Sequence, residues 1–171
     1  MANFLEASRF DRTTSNGRYG LISLRAIDAA FLGLGGGAWS MLAQRLQVEG
    51  WLLPDDARQL CRLGAFGDLI ANTDMHFGNI SAFLGDTRPL RLAPVYDMLP
   101  TRYRPLDSGE VVPRDYKPAL PNPAQREAWR DAAPLALAFW QQAASDSRVS
   151  GAFREIAAAN AAQLQKLIAR V

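Results

Sequence analysis

Asn72-Thr73-Asp74-Met75-His76-Phe77-Gly78-Asn79 is followed, eighteen residues past Asn79, by Asp97 in Ala93-Pro94-Val95-Tyr96-Asp97-Met98. Between them lie two short apolar runs, Ile80-Ser81-Ala82-Phe83-Leu84 and Leu90-Arg91-Leu92-Ala93. They flank Gly85-Asp86-Thr87-Arg88-Pro89. Two such runs around a Gly- and Pro-bearing turn predict a β-hairpin. A hairpin returns the chain to the end at which it started. Asn79 stands at the start of one strand and Asp97 just past the end of its partner, so the two are expected close in space. An amide oxygen beside a carboxylate suits Mg²⁺, which takes oxygen ligands and keeps part of its water.

The spacing points to phosphoryl transfer. Catalytic loops of the kinase type place an Asp five residues before an Asn, then a second Asp after a short hairpin. Asp74 is then the group that accepts the proton of the attacking hydroxyl, and Asn79 and Asp97 hold Mg²⁺ against the nucleotide phosphates. Asp and Asn five apart carry little alone, because both crowd into turns. The weight lies in the combination with His76 and the downstream hairpin. His76 has two readings, a catalytic group or a brace for the loop, and the brace is preferred. It is the only histidine of the chain, so neither a His-based metal site nor a triad with another His as base is available.

A chain of 171 residues is long enough for one well-cored domain, taken as 1–171. Hydrophobic content of 49% and charged content of 21% argue for a globular protein rather than disorder. The net charge of +2 is too small to indicate direct nucleic-acid binding, despite a pI near 9.0. Among the basic residues only Lys117 and Lys166 are lysines, which reads as compositional bias toward Arg. Cys61 is the only cysteine and lies in an apolar helical stretch. It reads as a small core residue, and an intrachain disulfide is impossible. The N-terminus lacks the basic and apolar regions of a signal peptide, and no stretch approaches the ~18 apolar residues of a membrane span. A cytoplasmic location with no membrane contact is the expectation.

Outward from the loop, residues 2–10 read as a strand ending in Arg9-Phe10-Asp11-Arg12, with a hairpin turn at Ser15-Asn16-Gly17 and a returning strand from Tyr19 to Ser23. Ser23 caps a helix to about Leu32. Gly33 to Gly37 lacks the Gly-Lys-Ser/Thr of a P-loop, so it reads as a helix end and connector. Trp39 to Val48 looks helical. Pro54-Asp55 opens a longer helix to about Asn72, with Leu60, Leu63, Phe66, Gly67 and Ile70 on one face. Six of the ten prolines fall between Pro100 and Pro123, which predicts a long loop. That loop is either a surface connector or an activation and substrate segment. Two helices follow, about 124–145, with a break near Pro134, and 150–170. The last carries Phe153, Ile156, Ala157, Leu164, Leu167 and Ile168 on one stripe, a core face. The apolar faces of the 54–72 and 150–170 helices are expected to pack on one another. The fold class is α+β and mostly α-helical.

Three pieces in order, Arg9-Phe10-Asp11-Arg12, Thr73-Asp74-x-His76-x-x-Asn79-x-Ser81 and Leu92-Ala93-Pro94-Val95-Tyr96-Asp97, resemble the C-terminal kinase lobe of the HipA-like toxin kinases. These are the serine/threonine kinases of bacterial type II toxin–antitoxin systems. The resemblance covers roughly 2–170, and within the family it points to the YjjJ-like branch. It implies a protein-kinase-like C-lobe, ATP and Mg²⁺ as cofactors, Asp74 as catalytic Asp and Asn79 and Asp97 as metal ligands. It also implies a protein substrate and an antitoxin partner, since the best-studied members modify an aminoacyl-tRNA synthetase and are restrained by a DNA-binding antitoxin. Many members carry a Lys where this chain has Gly78, a departure that bears on turnover and substrate choice. No Lys-bearing Val-Ala-x-Lys strand and no Gly-rich flap occur in these residues. The expectation is that these residues are a fragment of a longer chain, the alternatives being an N-lobe on a separate polypeptide or a degenerate kinase, and that alone they hold Mg·ATP weakly.

Two other readings stay open. Asp74-Met75-His76-Phe77-Gly78-Asn79 also resembles the D-L-H-x-G-N loop of aminoglycoside and choline kinases, small-molecule phosphotransferases. A non-catalytic pseudokinase or interaction module fits the missing flap and Gly78, but not the intact Asp74, Asn79 and Asp97.

Overall fold

The computed structural model describes residues 8–15, 17–108 and 114–171. Strand β1 (Leu21–Ser23) leads into a short helix, α1 (Leu24–Ile27), which continues as a π-helical turn over Asp28–Leu32. Then come α2 (Trp39–Val48), α3 (Pro54–Leu69), β2 (Ser81–Phe83) and β3 (Arg91–Leu92). Single 3₁₀ turns at Thr101–Tyr103 and Pro123–Gln125 bracket the proline-rich segment. Two long helices, α4 (Arg126–Ser145) and α5 (Gly151–Ile168), close the chain. The architecture is α+β and mostly helical, as the sequence led us to expect. Among the described residues no helix is long and apolar enough to cross a membrane.

The sheet is antiparallel in the order β1-β2-β3, with Ser23 opposite Ser81 and Ala82 opposite Leu92. The hairpin between Asn79 and Asp97 is therefore present, and β1 adds a third strand to it. The expected strand over 2–10 falls mainly on residues outside those described, and Ser8–Phe10 form no strand. The hairpin turn that follows does close: Arg12 pairs with Arg18, and Tyr19 N donates to Asp11 O at 2.9 Å.

Local signals account for the helix starts. Ser23 Oγ accepts Ala26 N at 3.2 Å and Ser150 Oγ accepts Phe153 N at 3.3 Å, each taking a first-turn N–H that has no partner inside its helix. Pro54 opens α3 with Asp55 and Asp56 in the first turn, where carboxylates favour the helix dipole. The π-helical turn is explained by Asp28. It is 3% exposed, and its carboxylate accepts Leu34 N at 2.8 Å and Gly35 N at 2.9 Å. Those two bonds fold the glycine segment back over the helix end, with Gly33 in the left-handed region at φ 68°. The segment is a connector, as its lack of P-loop spacing indicated.

Two apolar clusters make the core. One gathers Leu24, Ile27, Leu42, Leu46, Leu60, Phe77 and Ile80 from α1, α2, the first part of α3 and the chain entering β2. The other gathers Leu69, Ile70, Trp129, Trp140, Ala157 and Leu164 from the end of α3 with α4 and α5. Each fully buried large aliphatic side chain contributes about 1.5–3 kcal/mol. Helix α3 belongs to both clusters. Contact between it and α5 runs mainly through α4, so the expected direct pairing of the 54–72 and 150–170 helices is corrected. Helix α3 also stops at Leu69 rather than at Asn72, because Ala71 turns left-handed at φ 60°.

Helix α4 runs unbroken through Pro134, against the expected break. Pro134 sits on the exposed face, and the one N–H it lacks is outweighed by Ala132, Ala133 and Ala136, all buried beside it. The proline-rich segment is pinned from within. Tyr103 and Tyr116 are both buried, and Tyr116 Oη donates to Leu69 O at 2.6 Å. Burial pushes the Tyr116 hydroxyl up to about 12. Cys61 is partly buried against the first core, and burial raises its thiol, in keeping with a packing role.

Candidate active site

The loop that carries Asp74 crosses the seam between the two cores. Ile70 and Ala71 anchor its entry in one core, and Phe77 and Ile80 anchor its exit in the other. Helix α1 clamps the exit. Arg25 N donates to Phe77 O and Leu24 N to Ile80 O, both at 2.9 Å, so first-turn donors of α1 find their acceptors in the loop. On the other side Gly67 has no Cβ, and one placed there would run into the Met75 sulfur. That bare patch on α3 lets Met75 and Met98 approach.

Asn72 organises the site. It is 6% exposed, and both ends of its carboxamide are used. Oδ1 accepts Asp74 N and the Thr101 hydroxyl, each at 3.0 Å, while Nδ2 donates to Asp97 O at 3.3 Å. One side chain thus ties the backbone of Asp74 to the backbone of Asp97. Thr101 extends the knot, because its hydroxyl accepts Thr73 N at 2.7 Å. Asp97 itself is held left-handed at φ 56°, a conformation that Asp tolerates better than most residues and that recurs at functional sites.

Asn79 is bound into the same loop. It is 9% exposed, and its Nδ2 donates to Asp74 O at 2.8 Å. Its Oδ1 accepts no hydrogen bond among the described residues, so the fixed amide presents an oxygen for a further partner. The Asp74 and Asp97 side chains are exposed, and neither carboxylate is engaged by a described residue. His76 is exposed, and its Nδ1 accepts Gly78 N at 3.0 Å, which braces the turn. A Cβ at Gly78 would stand 2.9 Å from the His76 ring, so the glycine and this ring position go together.

Tyr96 joins the hairpin to the loop. Its hydroxyl donates to Gly78 O at 3.0 Å and meets Ser81 Oγ at 3.1 Å. Its ring stacks on Phe10 with centroids 6.3 Å apart. The Arg9-Phe10-Asp11-Arg12 run, remote in sequence, therefore touches the residue beside Asp97. Sequence reasoning missed the parts played by Asn72, Tyr96 and Thr101. Only Asn72 left a signal, as an Asx turn two residues before Asp74. Asn72→Ala should cost about 1–3 kcal/mol, because it leaves half-buried backbone groups at Asp74 and Asp97 without their partner. Chemical denaturation measures this, and a loss under half a kcal/mol would show the knot to be incidental.

Among the described residues no group of three or more His, Cys, Asp or Glu is placed to hold a metal. Asn79 Oδ1 and the Asp97 carboxylate are oxygen donors, the type of ligand that hard cations take.

The model of the HipA-like C-terminal domain matches residues 2–168. Toxin YjjJ of Escherichia coli (strain K12) is 40% identical over 154 residues, which is 90% of this chain and 34% of that protein. The chain thus spans about a third of the length of that relative. Matched from Ala2 to Ile168 and carrying the loop and hairpin described above, the chain belongs to the HipA-like C-terminal domain family.

Proposed function

We propose that the chain is the catalytic lobe of a HipA-like toxin kinase, with the architecture of a protein-kinase C-lobe. It would act in the cytoplasm, transferring the γ-phosphoryl group of ATP to a serine or threonine hydroxyl of a protein, under the restraint of an antitoxin. The observation that carries this reading is the Asn72 carboxamide, bonded at one end to Asp74 N and at the other to Asp97 O. It ties the backbone of a candidate proton acceptor to that of a candidate metal ligand across the loop and hairpin, and both side chains are exposed.

Asp74 accepts the proton of the acceptor hydroxyl as that oxygen attacks. Asn79 Oδ1 and the Asp97 carboxylate are the groups that would hold Mg²⁺. Mg·ATP, when bound, supplies the phosphoryl group and neutralises charge on its phosphate oxygens. His76 keeps the loop in shape through Gly78 N. The protein's own contribution is position, and position is where most of the catalysis of phosphoryl transfer resides.

Calorimetric titration of Mg·ATP tests the assignment in the protein together with the nucleotide-binding lobe it works with. Asp97→Asn should weaken Mg·ATP binding about 10–100-fold, the usual cost of disturbing a metal site. Unchanged binding in Asp97→Asn, with binding lost in Asp74→Asn, would reverse the two roles.

A further inference from the structure

Asp97 is tied to the loop at two points. Its own carbonyl is bonded to Asn72, and through Asn72 to Asp74. The residue before it, Tyr96, is bonded to Gly78, the residue before Asn79. The Tyr96 hydroxyl is fully committed to this second tie. Its one proton goes to Gly78 O at 3.0 Å, so Ser81 Oγ supplies the proton of the other bond, at 3.1 Å. Ser81 is 5% exposed and fixed in β2, where its carbonyl accepts Ala93 N at 2.8 Å. The turn before Asn79 and the chain leading to Asp97 therefore close on one phenol oxygen.

That oxygen stays in place only while the ring that carries it does. Phe10 stacks on the Tyr96 ring at 6.3 Å between centroids and 20° between planes. It also meets Phe83 of β2 nearly at right angles, at 88° and 6.3 Å. Both arrangements suit the quadrupoles of aromatic rings. Phe10 is held in turn by its neighbours. The Asp11 carboxylate accepts Arg9 Nε at 2.8 Å and Arg9 Nη2 at 2.6 Å and lies 3.8 Å from Arg12 Nε, and Asp11 O accepts Tyr19 N at 2.9 Å. The charges of Arg9-Phe10-Asp11-Arg12 thus fix the backbone on both sides of the ring that backs Tyr96.

We propose that Tyr96 is a positioning residue for Asn79 and Asp97 and that Phe10 acts through it, so that the placement of residues 9–12 sets the geometry of those two oxygen donors. The consequence for a metal rests on the phosphotransferase reading. The relay from Phe10 to the Gly78 turn stands apart from it.

The test uses the protein together with the nucleotide-binding lobe proposed for it. Tyr96→Phe keeps the ring and removes the hydroxyl. Phe10→Leu keeps an apolar side chain and removes the stacked ring. Without metal or nucleotide, hydrogen exchange read by mass spectrometry on a peptide spanning 76–81 should quicken about threefold or more in each variant, because the turn opens more often. Mn²⁺, a paramagnetic stand-in for Mg²⁺, is then titrated with a non-hydrolysable ATP analogue and followed by electron paramagnetic resonance. Tyr96→Phe should weaken its binding about tenfold, the lower end of the usual loss when a group that orients a metal ligand is removed. Phe10→Leu should weaken it about threefold, within the worth of one stacked pair. The double variant should bind no more weakly than Tyr96→Phe, because without the hydroxyl the Phe10 ring has nothing left to position. Two independent packing losses would add instead.

Additive losses in the double variant would overturn the proposal, as would exchange over 76–81 that neither single variant moves. Quicker exchange with Mn²⁺ affinity unchanged, in a protein that binds the Mn²⁺ complex, would also overturn it and leave the phosphotransferase reading standing. Quicker exchange in both variants of a protein that binds no Mn²⁺ complex even unsubstituted would uphold the relay and sink that reading.

Discussion

Asp74→Asn is expected to lower phosphoryl-transfer turnover by about 10²–10⁴-fold, the range for loss of a general base. The corresponding barrier increase is about 2.7–5.5 kcal/mol. Mg·ATP binding should stay near that of the unsubstituted protein, because in the proposed reading the Asp74 carboxylate serves the acceptor hydroxyl. Asparagine keeps the shape of the side chain, and the structural role of residue 74 runs through its backbone: N–H to Asn72 Oδ1 and carbonyl to Asn79 Nδ2. The substitution therefore removes the proton acceptor and leaves the loop intact. The comparison needs turnover and nucleotide affinity measured on the same preparation. A fall in nucleotide affinity with turnover per bound nucleotide unchanged would show that Asp74 works on the metal or nucleotide.

Trp140→Ala should cost about 3–5 kcal/mol of stability, the usual loss for a buried Trp cut back to Ala. Trp140 is fully buried, at 0% exposure, in the centre of the second core. Its ring meets Tyr103, Tyr116 and Phe153 at centroid distances of 6.1, 5.6 and 6.4 Å. Its Nε1 donates to Leu69 O at 3.0 Å, the carbonyl that Tyr116 also caps. Domains of this size are stable by about 5–15 kcal/mol, so the change removes a large share of the total. It also loosens the end of α3, three residues before Asn72. Urea denaturation followed by circular dichroism measures the loss, and a cost under about 1.5 kcal/mol would show that the second core closes over the cavity. Trp140→Phe, which keeps most of the ring, should lose much less, about 1–2 kcal/mol for the hydrogen bond and the volume.

What was legible in the sequence was what local chemistry decides. Ser23 and Pro54 mark helix starts because each deals with first-turn N–H groups by itself. Trp39–Val48 is helical where its pattern says so, and the hairpin between Asn79 and Asp97 follows from two apolar runs around a Gly/Pro turn. Features that depend on distant partners were not legible. Asp28 is a surface charge by composition, and only the return of the glycine segment makes it a buried acceptor of Leu34 N and Gly35 N. Pro134 reads as a break because local propensity knows nothing of the packing that holds α4 together. The helix expected to reach Asn72 ends at Leu69, where Tyr116 and Trp140 take the Leu69 carbonyl from far along the chain.

The site divides in the same way. Asp74, Asn79 and Asp97 were proposed from spacing, because phosphoryl transfer of the kinase type would require those residue types in that order. Asn72, Tyr96 and Thr101 hold them in place through bonds spanning up to 29 residues, and no local pattern announces such bonds. Gly78 looked like a missing charge in the sequence. In the fold it is the space that the His76 ring occupies.

The most direct measurement is a crystal structure of the protein, together with the nucleotide-binding lobe proposed for it, in the presence of Mg²⁺ and a non-hydrolysable ATP analogue. One cation touching both Asn79 Oδ1 and the Asp97 carboxylate at about 2.1 Å, with Asp74 free of the metal and facing the γ-phosphate, is the predicted result. A nucleotide bound with its metal away from both residues, or a metal on Asp74 alone, would contradict the account.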